Sequence, residues 1–330
     1  VRMVTTASAT RTVDTTGVDA MPRIAVAGIV NVRLAVPVDV FPIPLTSSRR
    51  LPGQIALRLS GVGWTIANTL QALGSDVLFA TYIGRDPAGQ LAEAGLRSAG
   101  LLGPATQVCD AQPRAVVHYD RAGTRSGATD LRDAVNRRYP TEVFTHALDA
   151  AGGADFAMLS NINFTRSLIS AAADRAIPII TDLHVIDTVQ SRHNEEWMRV
   201  AHVLSCSHEK MPCPPGDWIR RLWSRYRTPV VIVGMGAAGA LIGLHHHRAV
   251  WHVPAAASRL VRYTSGAGDT LLATFAHHYA LTGDPIDALP HGCLAAGWKV
   301  GAGPDDDVRD AGTMLPHLVH SQGLPAVHRV

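Results

Sequence analysis

Residues 24–30 read Ile-Ala-Val-Ala-Gly-Ile-Val, a short apolar run bounded by polar residues, which predicts a strand buried on both faces. Pro37, Pro42, Pro44 and Pro52 then punctuate a stretch that cannot be a long helix and can supply only short edge strands. From Gly63 the spacing of Ile66, Leu70 and Leu73 predicts a helix stopped by Gly74, with a strand at once from Asp76 to Ile83. The same beat continues. A helix is expected over 88–98, strands over 114–119 and 156–159, a helix over 167–175, and a strand over 177–182. Further strands are expected at 201–205 and 229–233, and helices after Gly268 and over 286–298.

Alternation of this kind predicts an α/β fold, a mostly parallel sheet with helices on both faces. No linker divides the chain, so one core over 22–310 is expected, with a C-terminal segment over 311–330. A small insertion is built from the proline-punctuated stretch and a hairpin over 114–126 that turns at Asp120-Arg-Ala-Gly123. Residues 1–21 are rich in Thr, Ala and Val but lack an apolar signal core, which predicts a disordered tail rather than a transit peptide.

Composition narrows the function. Of 330 residues 47% are hydrophobic, yet the apolar runs are all too short for a membrane helix, so no membrane partner is expected. The net charge of +3 comes from scattered arginines, with Lys210 and Lys299 the only lysines, and no basic block suggests nucleic acid. Four cysteines without CxxC pairing fit reduced thiols in a cytoplasm. Consecutive side chains of a strand alternate, so His245-His246-His247 cannot converge on one ion, and no structural metal is expected there.

The segment Thr264-Ser-Gly-Ala-Gly-Asp-Thr270 precedes Leu271, Leu272, Phe275 and Tyr279, whose spacing marks a helix beginning near Gly268. Small residues at a helix start leave room for a phosphate among backbone N–H groups, so Gly266, Ala267 and Gly268 are candidate anion-hole residues. Asp269, in the first turn, is a candidate general base for an attacking hydroxyl. A first-turn Asp that merely complements the helix dipole is the structural alternative.

This segment closely resembles the Asp-Thr-x-Gly-Ala-Gly-Asp signature of the ribokinase-like, or PfkB-type, carbohydrate and nucleoside kinases. Ser60-Gly61-Val62-Gly63 resembles that family's Gly-Gly-x-Gly substrate loop, and Gly84-Arg-Asp-Pro-Ala-Gly89 resembles its Gly-Asp-Asp-x-x-Gly turn. The resemblance runs from about residue 23 to 303 with the motifs in family order. It implies a three-layer α/β/α core with a β lid drawn from about 32–58 and 107–127, a lid that in the family often mediates dimerisation. It implies ATP and Mg²⁺ as partners in phosphorylating a small sugar-like substrate, with nucleosides as the alternative acceptors. Substrate contacts are implied for Asn31, Arg33, Gly61, Val62, Gly63, Thr65 and Asn161. Nucleotide contacts are implied for Ser265, Gly234, Gly236, Gly239 and Cys293.

Several positions depart from the family pattern. Tyr263 stands where the family has an Asp that helps hold a monovalent cation, which puts potassium activation in doubt. The Asn-x-x-Glu motif that organises magnesium corresponds to Ser205–Glu209, leaving only Glu209 as an indirect metal residue. Arg33 replaces a sugar-binding Asp and can only donate hydrogen bonds. A catalytically weak binding protein on the same fold is therefore the reading from another class. Asp182 and His184, at a strand's C-terminal end, lie where open α/β sheets bind ligands. Gly234-Met-Gly-Ala-Ala-Gly239 also spells a dinucleotide fingerprint, but the next residues alternate like a hairpin and no acid follows at the needed distance, which argues against an oxidoreductase.

Overall fold

The computed structural model describes residues 21–256 and 258–330. The expected tail, apart from Met21, lies outside the described residues. The chain begins with β1 (Arg23–Ala27), β2 (Asn31–Pro37) and β3 (Ala56–Ser60), then α1 (Val62–Ala72), β4 (Asp76–Gly84) and α2 (Pro87–Ser98). Next come β5 (Thr106–Cys109), β6 (Arg114–Tyr119), β7 (Arg125–Asp130), α3 (Thr141–Ala150), β8 (Phe156–Leu159), α4 (Leu168–Ala173) and β9 (Ile179–Val185). The second half adds α5 (Glu195–Val200), β10 (Ala201–Ser207), α6 (Pro215–Tyr226), β11 (Val230–Gly234), β12 (Ala240–Leu244) and β13 (Ala249–Val253). Helices α7 (Ala267–Thr282), α8 (Pro285–Lys299) and α9 (Asp310–Gln322) and the short β14 (His328–Arg329) close it.

Ten strands form one sheet in the order β14-β13-β12-β11-β10-β9-β8-β1-β4-β5, parallel from β11 to β5 and antiparallel from β11 to β14. Alternation within β1 explains the three layers. Ala25 and Ala27 face a core with Phe144, Leu168, Trp197 and Trp218, while Ile24 and Val26 face one with Leu70, Phe275 and Leu289. Helix α9 packs on α8 and α1, and β14 pairs with β13, so 311–330 is tied into the same body.

The lid is a separate four-stranded sheet in the order β3-β2-β6-β7. Its second half begins at Arg114 rather than near 107, because β5 pairs with β4 in the main sheet. The family-like turn after β4 joins lid to core through Asp86. Its carboxylate caps α2 by accepting from Gly89 N, accepts from Gln112 N, and meets the Arg114 guanidinium at the start of β6. Gln112, fully buried, accepts from Gly84 N and donates to Val30 O, closing the same junction from the β1 side.

The hairpin expected around the histidines is β12–β13, with exposed His246 and His247 at its tip. Strand β11 leads into a single 3-10 turn and then β12, not into a helix, so the dinucleotide spelling has no structural counterpart. Gly239 answers to backbone geometry: its φ is +90°, and a Cβ there would come 2.1 Å from Val253 O.

Two predictions concern this frame. At the mouth of β1 the backbones of Gly28 and Gly63 touch, and a Cβ on Gly63 would lie 2.4 Å from Gly28 C. Gly63→Ala should cost about 2 kcal/mol in denaturant unfolding, the usual range for overpacking against backbone; an unchanged midpoint would show that the contact is soft. Asp86→Ala removes a helix cap worth about 1 kcal/mol and should in addition speed amide exchange in β6 and β7 while leaving β8–β11 protected.

Candidate active site

The C-terminal ends of the parallel strands and the start of α7 meet beneath the lid. A cleft of about 710 Å³ opens there between β2 and β3, α1, residues Ser265 and Gly266 of the loop before α7, and the loop 303–309. Its floor includes Asn31, Thr65, Asp269 and Lys299.

Gly266 caps α7 with φ +80°, a left-handed conformation that glycine adopts without a steric penalty. No side chain caps the helix. Thr270 N closes the first turn on Gly266 O, and Ala267 N reaches Thr264 O at 3.3 Å. The amides of Gly268 and Asp269 lie in the first turn, where a helix offers them no carbonyl of its own. A Cβ on Gly268 would meet nothing within 4 Å, so the loop is open on that side. Of the anion-hole residues expected from the sequence, Ala267 has its amide partly engaged, while Gly268, with its neighbour Asp269, has a first-turn amide.

Asp269 is beside two groups from the end of β9. Ligand atoms of Asp182, His184 and Asp269 all lie within 4.8 Å of one another. Burial, opposed by His184 and reinforced by the like charge of Asp182, pushes the Asp269 carboxyl up to about 6. Burial would raise Asp182 as well, but the His184 charge and hydrogen bonds from His184 and Ser205 hold it below the usual carboxylate range. Desolvation works against the His184 imidazolium, yet the Asp182 carboxylate, 3.2 Å from Nδ1, carries it up to about 9. His184 takes φ +56°, uncommon outside glycine, and its backbone N–H donates to Asp182 Oδ1.

Of the substrate residues implied by the resemblance, Asn31, Arg33, Gly61, Val62 and Thr65 line the cleft, and Gly63 stands just behind it on α1. Asn31 Oδ1 is buried without a partner, available to a ligand hydroxyl. Arg33 and Arg58, from β2 and β3, donate to the carbonyls of Pro304 and Asp305, latching the lid to the loop after α8. Asn161 does not reach the cleft, since its amide is spent on Asn194 and its carbonyl on His193. Ser265 lines the cleft, whereas Gly234, Gly236 and Gly239 lie beyond it at the end of β11. Cys293 is packed into the core beside α7, 4% exposed, where burial pushes the thiol up to about 12 and leaves no surface for a nucleotide. Glu209 sits exposed in a 3-10 turn, and the carboxylates gathered among the described residues are Asp182 and Asp269 instead. Lys299 was not singled out from the sequence, although its being one of only two lysines was a signal.

Residues 218–306 match the family described as pfkB family carbohydrate kinase. No curated protein matches the chain in sequence. Solved structures do match in shape. A microbiome-derived acarbose kinase is 22% identical with a TM-score of 0.78, over 90% of this chain and 99% of that one. The ribokinase of Arabidopsis thaliana, solved with ribose and ATP, is 19% identical with a TM-score of 0.70, over 89% and 98%. A nucleoside kinase of Burkholderia thailandensis, solved with inosine, is 15% identical with a TM-score of 0.69, over 92% and 100%. Among the described residues no helix is long and apolar enough to cross a membrane. The chain thus has the fold of these kinases, with a Gly-Ala-Gly-Asp loop at the start of α7 and a small β sheet above it, and its residues 218–306 are similar to the pfkB carbohydrate kinase family.

Proposed function

We propose that this protein transfers the terminal phosphoryl group of ATP to a hydroxyl of a small sugar or sugar-like acceptor, with Asp269 as general base. The observation that carries the reading is a half-buried carboxylate, raised to about 6, in the first turn of a helix whose first amides have no helix carbonyl to bond. A base of that strength is ionised at neutral pH yet close enough in pKa to take a proton efficiently.

The acceptor binds under the lid, its hydroxyls against Asn31 and Thr65, and one of them donates to Asp269. As that oxygen attacks phosphorus, its proton passes to the Asp269 carboxylate. Charge on the phosphoryl oxygens is met by the loop amides and the positive end of α7. The lid, held to the 303–305 loop through Arg33 and Arg58, keeps water from the phosphoryl. Ser265 and the glycine turn after β11 are the proposed nucleotide contacts.

Of the gathered ligands, the carboxylate oxygens of Asp182 and Asp269 would suit magnesium, directly or through water, while the imidazole of His184 is a poor ligand for so hard a cation. A bound magnesium would supply positive charge to offset that of the phosphates. Acceptors in keeping with the matched structures range from pentoses and nucleosides to oligosaccharides.

The test is a mass-spectrometric screen for phosphate transfer from ATP across sugars, oligosaccharides, sugar acids, aminosugars and nucleosides. Stabilisation by a ligand with no phosphorylated product from any of them would instead favour a binding protein. Asp269→Asn should lower kcat by about 10³-fold, within the usual range for a general base, while acceptor affinity holds; turnover within a few-fold of wild type would remove Asp269 from the role. Because the base must be ionised, kcat should fall about tenfold per pH unit below the Asp269 value of about 6. A flat profile down to pH 4.5 would count against it.

A further inference from the structure

Lys299 ends α8 and is 9% exposed. It lines the cleft with Ser265, Gly266 and Asp269, and its Nζ lies 5.5 Å from the centroid of the Tyr263 ring. Arg33 approaches the same ring at 5.3 Å. Among the described residues no carboxylate comes within ion-pair distance of Lys299. The cleft's acidic rim is already engaged: Asp305 faces Arg58 at 3.8 Å, Asp306 accepts from Gly303 N at 2.9 Å, and Asp307 faces Arg309 at 3.3 Å.

Burying an ammonium with no carboxylate in direct ion-pair contact is costly, and a second cation on the same ring adds to the cost. Burial, and then Arg33, push Lys299 down to about 8 against the opposing charges of Asp306 and Asp269, neither of which pairs with it. Features that break the rules of stable packing concentrate where a ligand repays them. The backbone that carries the ammonium is also tied to the segment leading into the phosphate loop. Val300 O, on the next residue, accepts from both Arg262 N at 2.7 Å and Tyr263 N at 3.0 Å, the residues that lead into Thr264.

A free monovalent cation has no comparable place here. Tyr263, 2% exposed, puts an aromatic ring where a carboxylate would be needed, and a charged side chain already lies against that ring. We propose that Lys299 is a positioning residue whose ammonium supplies the fixed positive charge behind the phosphate loop, so that transfer proceeds without a monovalent cation. The inference rests on the kinase reading above. It changes no bond in the reaction: phosphorus still passes from the ADP oxygen to the acceptor oxygen, and the proton to Asp269.

The experiment has two arms. In the first, with the best acceptor of the panel, wild-type turnover should stay within about twofold when potassium is replaced by sodium or N-methylglucamine, and Lys299→Met should lose about 100-fold in kcat, the scale of a lost charge-stabilising donor, with acceptor KM within about threefold. Lys299→Ala should regain activity with added methylammonium or ammonium, a rescue that a merely structural role would not give. The second arm needs no acceptor: MgADP with fluoroaluminate, a mimic of the phosphoryl in flight, should raise the melting temperature of wild type beyond MgADP alone, and this increment should vanish in Lys299→Met. Strong stimulation of wild type by potassium overturns the inference. So does a Lys299→Met enzyme with normal kcat and raised acceptor KM, which would make the ammonium an acceptor contact, or an equal fluoroaluminate increment in both proteins. If wild type neither binds MgADP nor phosphorylates any acceptor, the kinase reading falls and this inference with it.

Discussion

Two carboxylates, Asp182 and Asp269, converge at the end of the sheet, and the cost of burying them there organises the site. In water they would be ordinary acids. Together, in a place poor in water, they cannot both remain at the usual carboxylate strength, and the structure divides the burden unequally. Asp182 receives the His184 charge and a hydroxyl from Ser205, and keeps its proton off. Asp269 receives less and becomes the weaker acid, which is the property a base needs. The left-handed backbone of His184 follows from the same demand, since it turns the imidazole and its own N–H onto Asp182 together.

That arrangement depends on the frame around it. Asp269 is set by the start of α7, and α7 is packed by Phe275 and Leu272 against the strand residues Ile24, Val26 and Ile180. The wall opposite is the lid, and its position depends on one small junction. Asp86 joins the cap of α2, the backbone of Gln112 and the guanidinium of Arg114, so the lid strand β6 starts from a fixed point relative to β4. The family-like turn at Gly84–Gly89 is, in this chain, a hinge post for the lid.

Much of this was legible in the sequence. The alternating strand and helix periods gave the layered sheet, and the small residues before Leu271 gave the helix start and its acid. Local signals of that kind survive because a helix N-terminus or a buried strand is decided by neighbours in the chain. What could not be read depends on long-range geometry. Nothing near Ala267 reveals that its amide turns back to Thr264 O. Cys293 and Asn161 have side chains suited to a site, but one is folded into the core and the other is spent on Asn194. Lys299 is drawn to the loop only because α8 returns beside it, from a segment whose pattern predicted a helix and nothing more.

The arginine latch between the lid and the 303–305 loop has a thermodynamic consequence. Both lid arginines donate to carbonyls of that loop, so any opening of the lid away from it must break both bonds. A ligand that needs the cleft opened would bind with an affinity reduced by the fraction of molecules in which the latch is undone. On the proposed kinase reading, loosening the latch would tighten apparent binding while admitting more water to the phosphoryl, so that affinity and protection from hydrolysis would be traded through the same two side chains.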